Sequence, residues 1–172
     1  MENNFQMVAK TLFGFEDLLE KELTQLGGQR VKKGVRNVTF YGDTGFMYKC
    51  NLALRTAIKI LKPIASFKVI NEKDLYDKIY NIKWENYIDH TGTIAINSTV
   101  HSNVFTHSQY ISLKAKDAIV DRIRSISGER PSVDLKFPDL KINIHIDKLF
   151  CNVSLDSSGE SLHKRGYKSS NK

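Results

Sequence analysis

The strongest constraint on the fold is the order in which the apolar pattern changes near the start of the chain. Apolar residues alternate from Phe5 to Thr11, which predicts a strand, and from Gly14 they recur at helical spacing as far as Leu26. The pair Gly27-Gly28 predicts the end of this helix, because glycine adopts the left-handed C-terminal conformation without a Cβ clash. A strand followed directly by an amphipathic helix predicts a mixed fold of helices and sheet.

The residues that follow continue this alternation. The stretch from Gln29 to Tyr41 predicts two short strands around Gly34, and Asp43 or Thr44 can cap a second helix. From Ile58 to Val69 the sequence is again extended and β-branched. The resulting order, βαββαβ, is the ferredoxin-like pattern, which we expect to form a first domain over residues 1–70. The residues predicted to be buried in the second helix are Phe46, Cys50, Ala53 and Leu54.

A second domain is expected over residues 71–158. It begins at Asn71, where a capping residue followed by acidic residues suits the start of a helix. The predicted elements are a helix through Ile82, a short turn at Trp84, a strand from Thr93 to Val100, a helix from Ser108 to Ile126, and strands at Lys141–Ile146 and Phe150–Leu155. This order, ααβαββ, completes a predicted α+β fold class. Residues 159–172 are polar and basic, and we expect them to add no further element.

Composition narrows the class of protein. With 41% hydrophobic and 26% charged residues the chain can bury a core, and it contains no apolar run long enough to cross a membrane. The first residues lack the basic and then apolar layout of a secretory signal, so we expect a soluble, cytoplasmic protein. Cys50 and Cys151 lie about a hundred residues apart, which fits neither a metal knuckle nor a disulfide framework. We expect both to be buried thiols in a reducing compartment.

The charge distribution predicts where a polyanion would bind. The net charge is +7 and the sequence pI is about 9.3, a balance that favours anionic partners. Residues 1–70 hold 11 basic and 6 acidic residues, residues 71–159 hold 11 and 12, and residues 160–172 hold 4 and 1. We therefore expect a polyanion to contact the first segment and the tail.

The sequence offers little support for catalysis. It contains no G-x-G-x-x-G, P-loop or G-x-S-x-G motif, and its five histidines are too scattered to predict a metal site. Asp117 and Asp121 stand one helical turn apart, but nearby basic residues favour a salt-bridged surface over acid/base chemistry. The glycine-rich stretch Gly42-Asp43-Thr44-Gly45 is the nearest candidate for a nucleotide turn. We expect no cofactor there, because the surrounding small unit has no parallel-sheet crevice.

Three groups of basic residues are candidates for phosphate contacts. The group around the Gly34 turn suits phosphates and a charged hairpin that protects an edge strand equally well. For the long-helix group a solvated face is favoured, because its acidic residues cancel its basic ones. For the tail group RNA binding is favoured, because its cations lie beside Tyr167 without any apolar period. These groups are Arg30, Lys32, Lys33 and Arg36; Lys114, Lys116, Arg122 and Arg124; and His163, Lys164, Arg165 and Lys168.

Several motifs carry a resemblance to a known family. Two segments, Phe13-Gly14-Phe15-Glu16 and Asn51-Leu52-Ala53-Leu54-Arg55-Thr56-Ala57, resemble the N-terminal ferredoxin-like domain of THUMP-containing RNA methyltransferases. The most specific match, Leu155 to Lys168, resembles the junction between the THUMP domain and the methyltransferase domain. Further segments resemble the THUMP domain itself: Ile82-Lys83-Trp84, Val100-His101-Ser102, His107-Ser108-Gln109-Tyr110, Lys116 to Asp121, and Arg130 to Asp134.

The resemblance implies a function, and it also implies a catalytic domain that this sequence lacks. Bacterial enzymes of the RlmL type methylate the exocyclic amine of a guanine in 23S ribosomal RNA, and are often labelled adenine-specific DNA methylases. Their catalytic half carries an S-adenosylmethionine loop and an Asn/Asp-Pro-Pro-Tyr-type motif. Here the three prolines, Pro63, Pro131 and Pro138, are isolated, and the family's catalytic residues have no counterpart. The chain is therefore expected to be non-catalytic alone, being either a cut or a naturally shortened form.

The sequence thus predicts an RNA-binding module that docks and orients 23S ribosomal RNA for a methyltransferase domain. We expect S-adenosylmethionine to bind only that absent domain, and we expect no metal and no membrane partner. Two alternatives stay open, a tRNA-binding THUMP module of a tRNA-modifying enzyme and a protein-interaction or assembly module. The predicted RNA-binding residues, which include two from the resembling motifs, are Lys32, Lys33, Arg36, Ser108, Lys114, Lys116, Arg130, His163, Lys164, Arg165 and Tyr167.

Overall fold

A computed structural model describes residues 3–158 of the chain. These residues divide into two compact units. The first comprises residues 3–62 together with 156–158, and the second comprises Pro63–Leu155. Over the described residues, no helix combines the length and the apolar character needed to cross a membrane.

The first unit has the predicted βαββαβ order. Its strands follow the order β2-β3-β1-β4, and every pairing for which the register is defined is antiparallel. The last strand, β4, continues into the second unit, because the two units divide between residues 62 and 63, inside this strand and ahead of the expected boundary at residue 70. The elements are β1 (Phe5–Lys10), α1 (Glu16–Leu26), β2 (Gln29–Lys33), β3 (Asn37–Gly42), α2 (Thr44–Ala53) and β4 (Lys59–Lys68).

Local signals at the helix ends behave as the sequence predicts. Gly27 ends α1 in the left-handed conformation with φ 103°, and the N–H of Gly28 donates to the Leu23 carbonyl at 2.9 Å. Asp43 is the N-cap of α2, where its carboxylate accepts from the Phe46 N–H at 2.7 Å. Both predictions depend on residues within one turn of the helix end and are confirmed.

The core of the first unit lies between one face of the sheet and the two helices. Met7, Phe40 and Leu19 are among its fully buried side chains. The predicted buried stripe of α2 is wrong in part, because Ala53 is exposed while Met47 and Asn51 are buried beside Cys50. The reason is that an amide can take a buried position when its N–H groups find partners. Asn51 Nδ2 donates to the Met47 carbonyl at 3.1 Å and to Ser157 Oγ at 3.0 Å.

The chain returns to the first unit after passing through the second. Both the backbone N–H and the hydroxyl of Ser157 donate to the carbonyl of Ile60, at 3.0 and 2.9 Å. Ser158 is almost fully buried, and its hydroxyl and N–H donate to one oxygen of Asp156. Ser157 therefore adds two hydrogen bonds to β4 within the first unit.

The second unit has the predicted ααβαββ order with one addition. That addition is β6, a parallel two-residue strand too short to leave a periodic signal. The strand order is β4-β8-β7-β5-β6, with β5 and β7 parallel and β7 and β8 antiparallel. The elements after β4 are α3 (Glu72–Tyr80), a 3₁₀ turn (Trp84–Asn86), β5 (Thr93–His101), α4 (Ser108–Ser127), β6 (Ser132–Val133), β7 (Leu140–Asp147) and β8 (Phe150–Asp156).

The core of the second unit is centred on Trp84. This side chain is fully buried, and its indole N–H donates to the Ile79 carbonyl at 2.8 Å, which satisfies its only polar atom. Isoleucines from α4, β5 and β7 complete the core. Cys50 in the first core and Cys151 in the second are free and buried, as predicted. Burial raises the pKa of each thiol to about 12.

Candidate nucleic-acid interface

The second unit contains a cleft of about 370 Å³ beside the first turns of α4. One wall comes from β5, another from α4, and a third from the segment around β6. The hydroxyls of Ser98 on β5 and Ser112 on α4 lie 2.6 Å apart and join two of these walls. The polar residues that line the cleft are Asn97, Ser98, Ser108, Gln109, Ser112 and Lys116, and the apolar ones are Ile94, Ile96, Leu113, Val133 and Leu135.

The start of α4 gives this cleft an anion-favouring end. Within residues 3–158, the N-cap residue His107 makes no side-chain hydrogen bond to the helix, and the first turn holds no acidic residue. The first N–H groups of a helix have no intrahelical acceptor, and they carry the positive end of its dipole. Ser108 and Gln109, the first two residues of this 20-residue helix, line the cleft. The geometry suits a phosphate or another anion.

Lys116 is the cation of the cleft. Its ammonium lies 3.0 Å from a carboxylate oxygen of Asp117, and both side chains are substantially exposed. A solvent-exposed pair of this kind is weak and exchanges partners readily. Lys116 can therefore contribute to binding an anion in the cleft.

The other predicted cations of the second unit do not gather at the cleft. The Lys114 ammonium lies 5.8 Å from the centre of the Tyr76 ring. Arg122 forms a two-point ion pair with Glu85, at 2.6 and 3.1 Å, which is the solvated, salt-bridged arrangement favoured from the sequence. The guanidinium of Arg130 lies 4.0 Å from Asp121.

Asp121 is also occupied on the side facing α3. It accepts from the Tyr76 hydroxyl at 2.6 Å. This hydrogen bond, together with burial and the carboxylate charge, raises the pKa of Tyr76 to about 12. Asp121 is therefore engaged in packing α3 against α4.

The basic turn of the first unit is held in place by two acidic residues of α1. Lys33 pairs with Asp17 at 2.5 Å, which lowers the pKa of Asp17 and raises that of Lys33. Glu16 accepts from the N–H of Arg36 at 2.9 Å and from the N–H of Gly14 at 2.7 Å. The backbone hydrogen bond from Arg36 is the main cause of the lowered pKa of Glu16.

These contacts separate the cations of the turn into two kinds. The charge of Lys33 is already offset by Asp17. Lys32 and Arg36 are exposed, and among the described residues neither has an ion-pair partner. Arg36 also adopts a left-handed backbone conformation with φ 57°, which Glu16 helps to hold. Lys32 and Arg36 are thus the cations of the turn that can contact phosphates directly.

Some candidate residues lie outside the sequence prediction or outside the described residues. The tail residues His163, Lys164, Arg165 and Tyr167 lie beyond residue 158, outside the described range. The sequence prediction missed the polar lining of the cleft at Asn97, Ser98, Gln109 and Ser112. The sequence feature that could have indicated this lining is the presence of polar residues in an otherwise apolar strand and at the start of the long helix.

In the glycine-rich stretch at the start of α2, Gly42 and Asp43 both make contacts within the chain itself. A Cβ on Gly42 would lie 2.4 Å from the Phe46 ring, so the space beside this glycine is filled by the Phe46 side chain. The Asp43 carboxylate caps α2 instead of facing outward to a ribose. Within residues 3–158 there is also no group of three or more histidine, cysteine or acidic side chains placed to hold a metal ion.

Comparison with known protein families matches both halves of the chain. The RlmL ferredoxin-like domain matches residues 6–61, and the THUMP domain matches residues 69–156. The ribosomal RNA large subunit methyltransferase K/L of Syntrophotalea carbinolica is 38% identical over 155 residues. That alignment covers 90% of this chain and 22% of the relative, so the chain spans only a small part of the relative's length.

Solved structures show the same architecture. A predicted N6-adenine-specific DNA methylase from Listeria monocytogenes superimposes with a TM-score of 0.84 at 26% identity, covering 99% of this chain and 44% of that one. A 4-thiouridine synthetase in complex with RNA and ATP superimposes with a TM-score of 0.52 at 13% identity, covering 92% of this chain and 42% of that one. The second similarity is one of fold alone.

Proposed function

Because the chain belongs to the THUMP-domain family, we propose that it is an RNA-binding module that docks and orients 23S ribosomal RNA for a methyltransferase domain. The observation that carries the proposal is the match of both domains, in order, to a ribosomal RNA large subunit methyltransferase. The similarity of fold to a synthetase that is seen in complex with RNA is consistent with it.

The proposed mechanism is electrostatic docking. The free N–H groups at the start of α4 and the Lys116 ammonium would bind phosphates at the cleft of the second unit. Lys32 and Arg36 would bind phosphates at the turn of the first unit. Contacts to phosphates set the register and orientation of an RNA without reading its bases. The residues of this chain would therefore hold the RNA in place, and they would not transfer the methyl group.

We further propose that S-adenosylmethionine is bound by a separate domain, where it would supply the methyl group for a guanine exocyclic amine. Calorimetry of this chain with S-adenosylmethionine tests that assignment, and no saturable heat is expected. Saturable binding that is lost on Gly45→Val would contradict it.

The RNA-binding proposal is tested by fluorescence anisotropy at several salt concentrations. If about four to six phosphates are contacted, the slope of log K against log salt should be on the order of −3 to −5. A flat dependence, or no binding at low salt, would instead favour a protein-interaction module.

The identity of the RNA needs a separate comparison. Tighter binding to fragments of 23S ribosomal RNA than to tRNA is expected, and the reverse order would indicate a tRNA-modifying relative. Charge reversal of Lys164 and Arg165 in the tail should weaken binding to every RNA sequence alike, because phosphate contacts do not discriminate between bases.

A further inference from the structure

The sheet of the first unit has a second face, turned away from its core. Along β1, Met7 and Ala9 are buried in the core while Val8 and Lys10 between them are half-buried on the opposite face. Along β3, Val38 and Phe40 are buried while Thr39 and Tyr41 share the face of Val8 and Lys10. Both helices of the unit pack on the core face, through residues such as Leu19 and Met47.

This second face carries cations from three further positions. Lys59 on β4 lies directly opposite Lys10, and Lys32 on β2 lies opposite Thr39. Arg30 lies in an irregular part of β2 with a left-handed φ of 49°, and its guanidinium is 5.4 Å from the centre of the Tyr41 ring. Bulges of this kind redirect a side chain, and here the result is an arginine placed over an aromatic ring.

Most acidic residues of the first unit lie on the core side of the sheet. Of the six acidic residues described in this unit, four are in α1, and α1 packs on the core face. The fifth, Asp43, caps α2, and the sixth, Asp156, accepts from the Ser158 hydroxyl and N–H. Four of the six acidic residues therefore belong to a helix on the core side of the sheet, whereas Lys10, Lys59 and Lys32 lie on the opposite face.

The pairing of Lys10 with Lys59 is unfavourable in the isolated chain. Like charges directly opposite one another across two strands destabilise a sheet. Burial and then the Lys59 charge lower the pKa of the Lys10 ammonium. Among the residues described, neither lysine has an ion-pair partner. An arrangement that costs stability without any local compensation is typical of a binding site.

We propose that this sheet face binds a single-stranded segment of RNA, with a base stacked at Tyr41 and Arg30 and phosphates at Lys10, Lys59 and Lys32. The inference rests on the proposed RNA-binding function and assigns it a second surface, which shares Lys32 with the basic turn. A polyanion would neutralise the lysine pair, and the aromatic ring would supply a stacking platform that tolerates any base. An acidic peptide would satisfy the lysines but would leave the Tyr41 ring without a role.

The experiment measures binding of the full chain to a fluorescent single-stranded oligouridine of about 12 nucleotides, within the range of known site sizes. Lys10→Gln and Lys59→Gln should each make the salt slope shallower by about 0.7. Tyr41→Leu should weaken binding about 5-fold or more, whereas Tyr41→Phe keeps the ring and should bind like wild type. The matched control is Lys21→Gln, which removes an exposed cation from α1, on the core side of the sheet.

Thermal unfolding of the same variants separates binding from folding. Lys10→Gln removes the repulsion from Lys59, so its melting temperature should equal or exceed that of wild type while its RNA affinity falls. A loss of affinity together with undiminished stability cannot be ascribed to misfolding. If Lys10→Gln bound oligouridine as tightly as wild type, the proposed platform would be wrong.

The outcomes distinguish this inference from the proposed function. If the sheet-face variants bind every RNA like wild type while Lys116→Gln weakens binding, the sheet-face site is refuted and the proposed function stands. If wild type binds no RNA at any salt concentration, the proposed function fails. If polyglutamate binds the wild type and Tyr41→Leu leaves oligouridine binding unchanged, the face binds an acidic protein instead, which also overturns the inference.

Discussion

Replacement of Lys116 by glutamine should weaken RNA binding at the cleft without affecting the fold. The Lys116 ammonium lies 3.0 Å from Asp117, and the two side chains are 34% and 50% exposed, so water screens the pair. Exposed pairs contribute about 0–1 kcal/mol, and Lys116→Gln should therefore change the free energy of unfolding by less than about 1 kcal/mol. Its effect should appear in binding instead.

The size of the binding effect follows from the loss of one phosphate contact. Each contact contributes about 0.7 to 0.9 to the slope of log K against log salt. Between about 50 and 200 mM salt, a slope shallower by about 0.8 reduces the fall in affinity by a factor of about 3 relative to wild type. Anisotropy titrations at several salt concentrations measure this slope directly.

Two further variants test the direction of the effect on RNA binding and provide a control. Asp117→Asn removes the competing carboxylate, so RNA binding should become tighter. Lys73→Gln breaks a comparable exposed pair on α3, in which Lys73 is 87% exposed and lies 3.1 Å from Asp77. If Lys116→Gln and Lys73→Gln gave the same salt slope, the assignment of Lys116 to the interface would be refuted.

Three further predictions concern stability and reactivity. Asp43→Ala removes the cap of α2 and should lower the free energy of unfolding by about 1 kcal/mol in denaturant titrations. Hydrogen bonding to Arg122 lowers the pKa of Glu85. The ion pair therefore stabilises the fold above the pKa that Glu85 has in the unfolded chain, and this stabilisation is lost as the pH falls through the pKa of Glu85 in the folded chain. The difference in unfolding free energy between wild type and Glu85→Gln should accordingly shrink on acidification. Cys50 and Cys151, each with a pKa raised to about 12, should react with a thiol reagent at neutral pH only after unfolding.

Local signals account for the parts of the fold that the sequence predicts well. The caps at Asp43 and Asn71 and the helix end at Gly27 depend on hydrogen bonds within a few residues. The parallel pairing of β5 with β7 was not predicted, because it joins residues such as Thr99 and His145 that are 46 positions apart. Strand periodicity indicates which face of a strand is buried, but it does not identify the neighbouring strand.

In the candidate interface, too, the sequence indicates residue types but not the contacts between residues that are distant along the chain. Residue type alone identified Lys32, Lys33 and Lys116 as cations that could bind phosphates. That Lys33 is offset by Asp17, 16 residues earlier, depends on the packing of α1 beside β2. The hydroxyl pair of Ser98 and Ser112, which joins two walls of the cleft, likewise arises only when α4 packs on β5.

The return of the chain to the first unit has a consequence for its synthesis. The carbonyl of Ile60 accepts two hydrogen bonds from Ser157, which is made 97 residues later. At the usual rate of translation this interval is roughly 5 to 20 s, during which β4 has emerged but lacks Ser157 as a hydrogen-bond donor. The first unit therefore acquires these two hydrogen bonds only after the residues of the second unit have been made. A fragment that stops short of Ser157 would also deprive Asn51 of a partner for its buried amide.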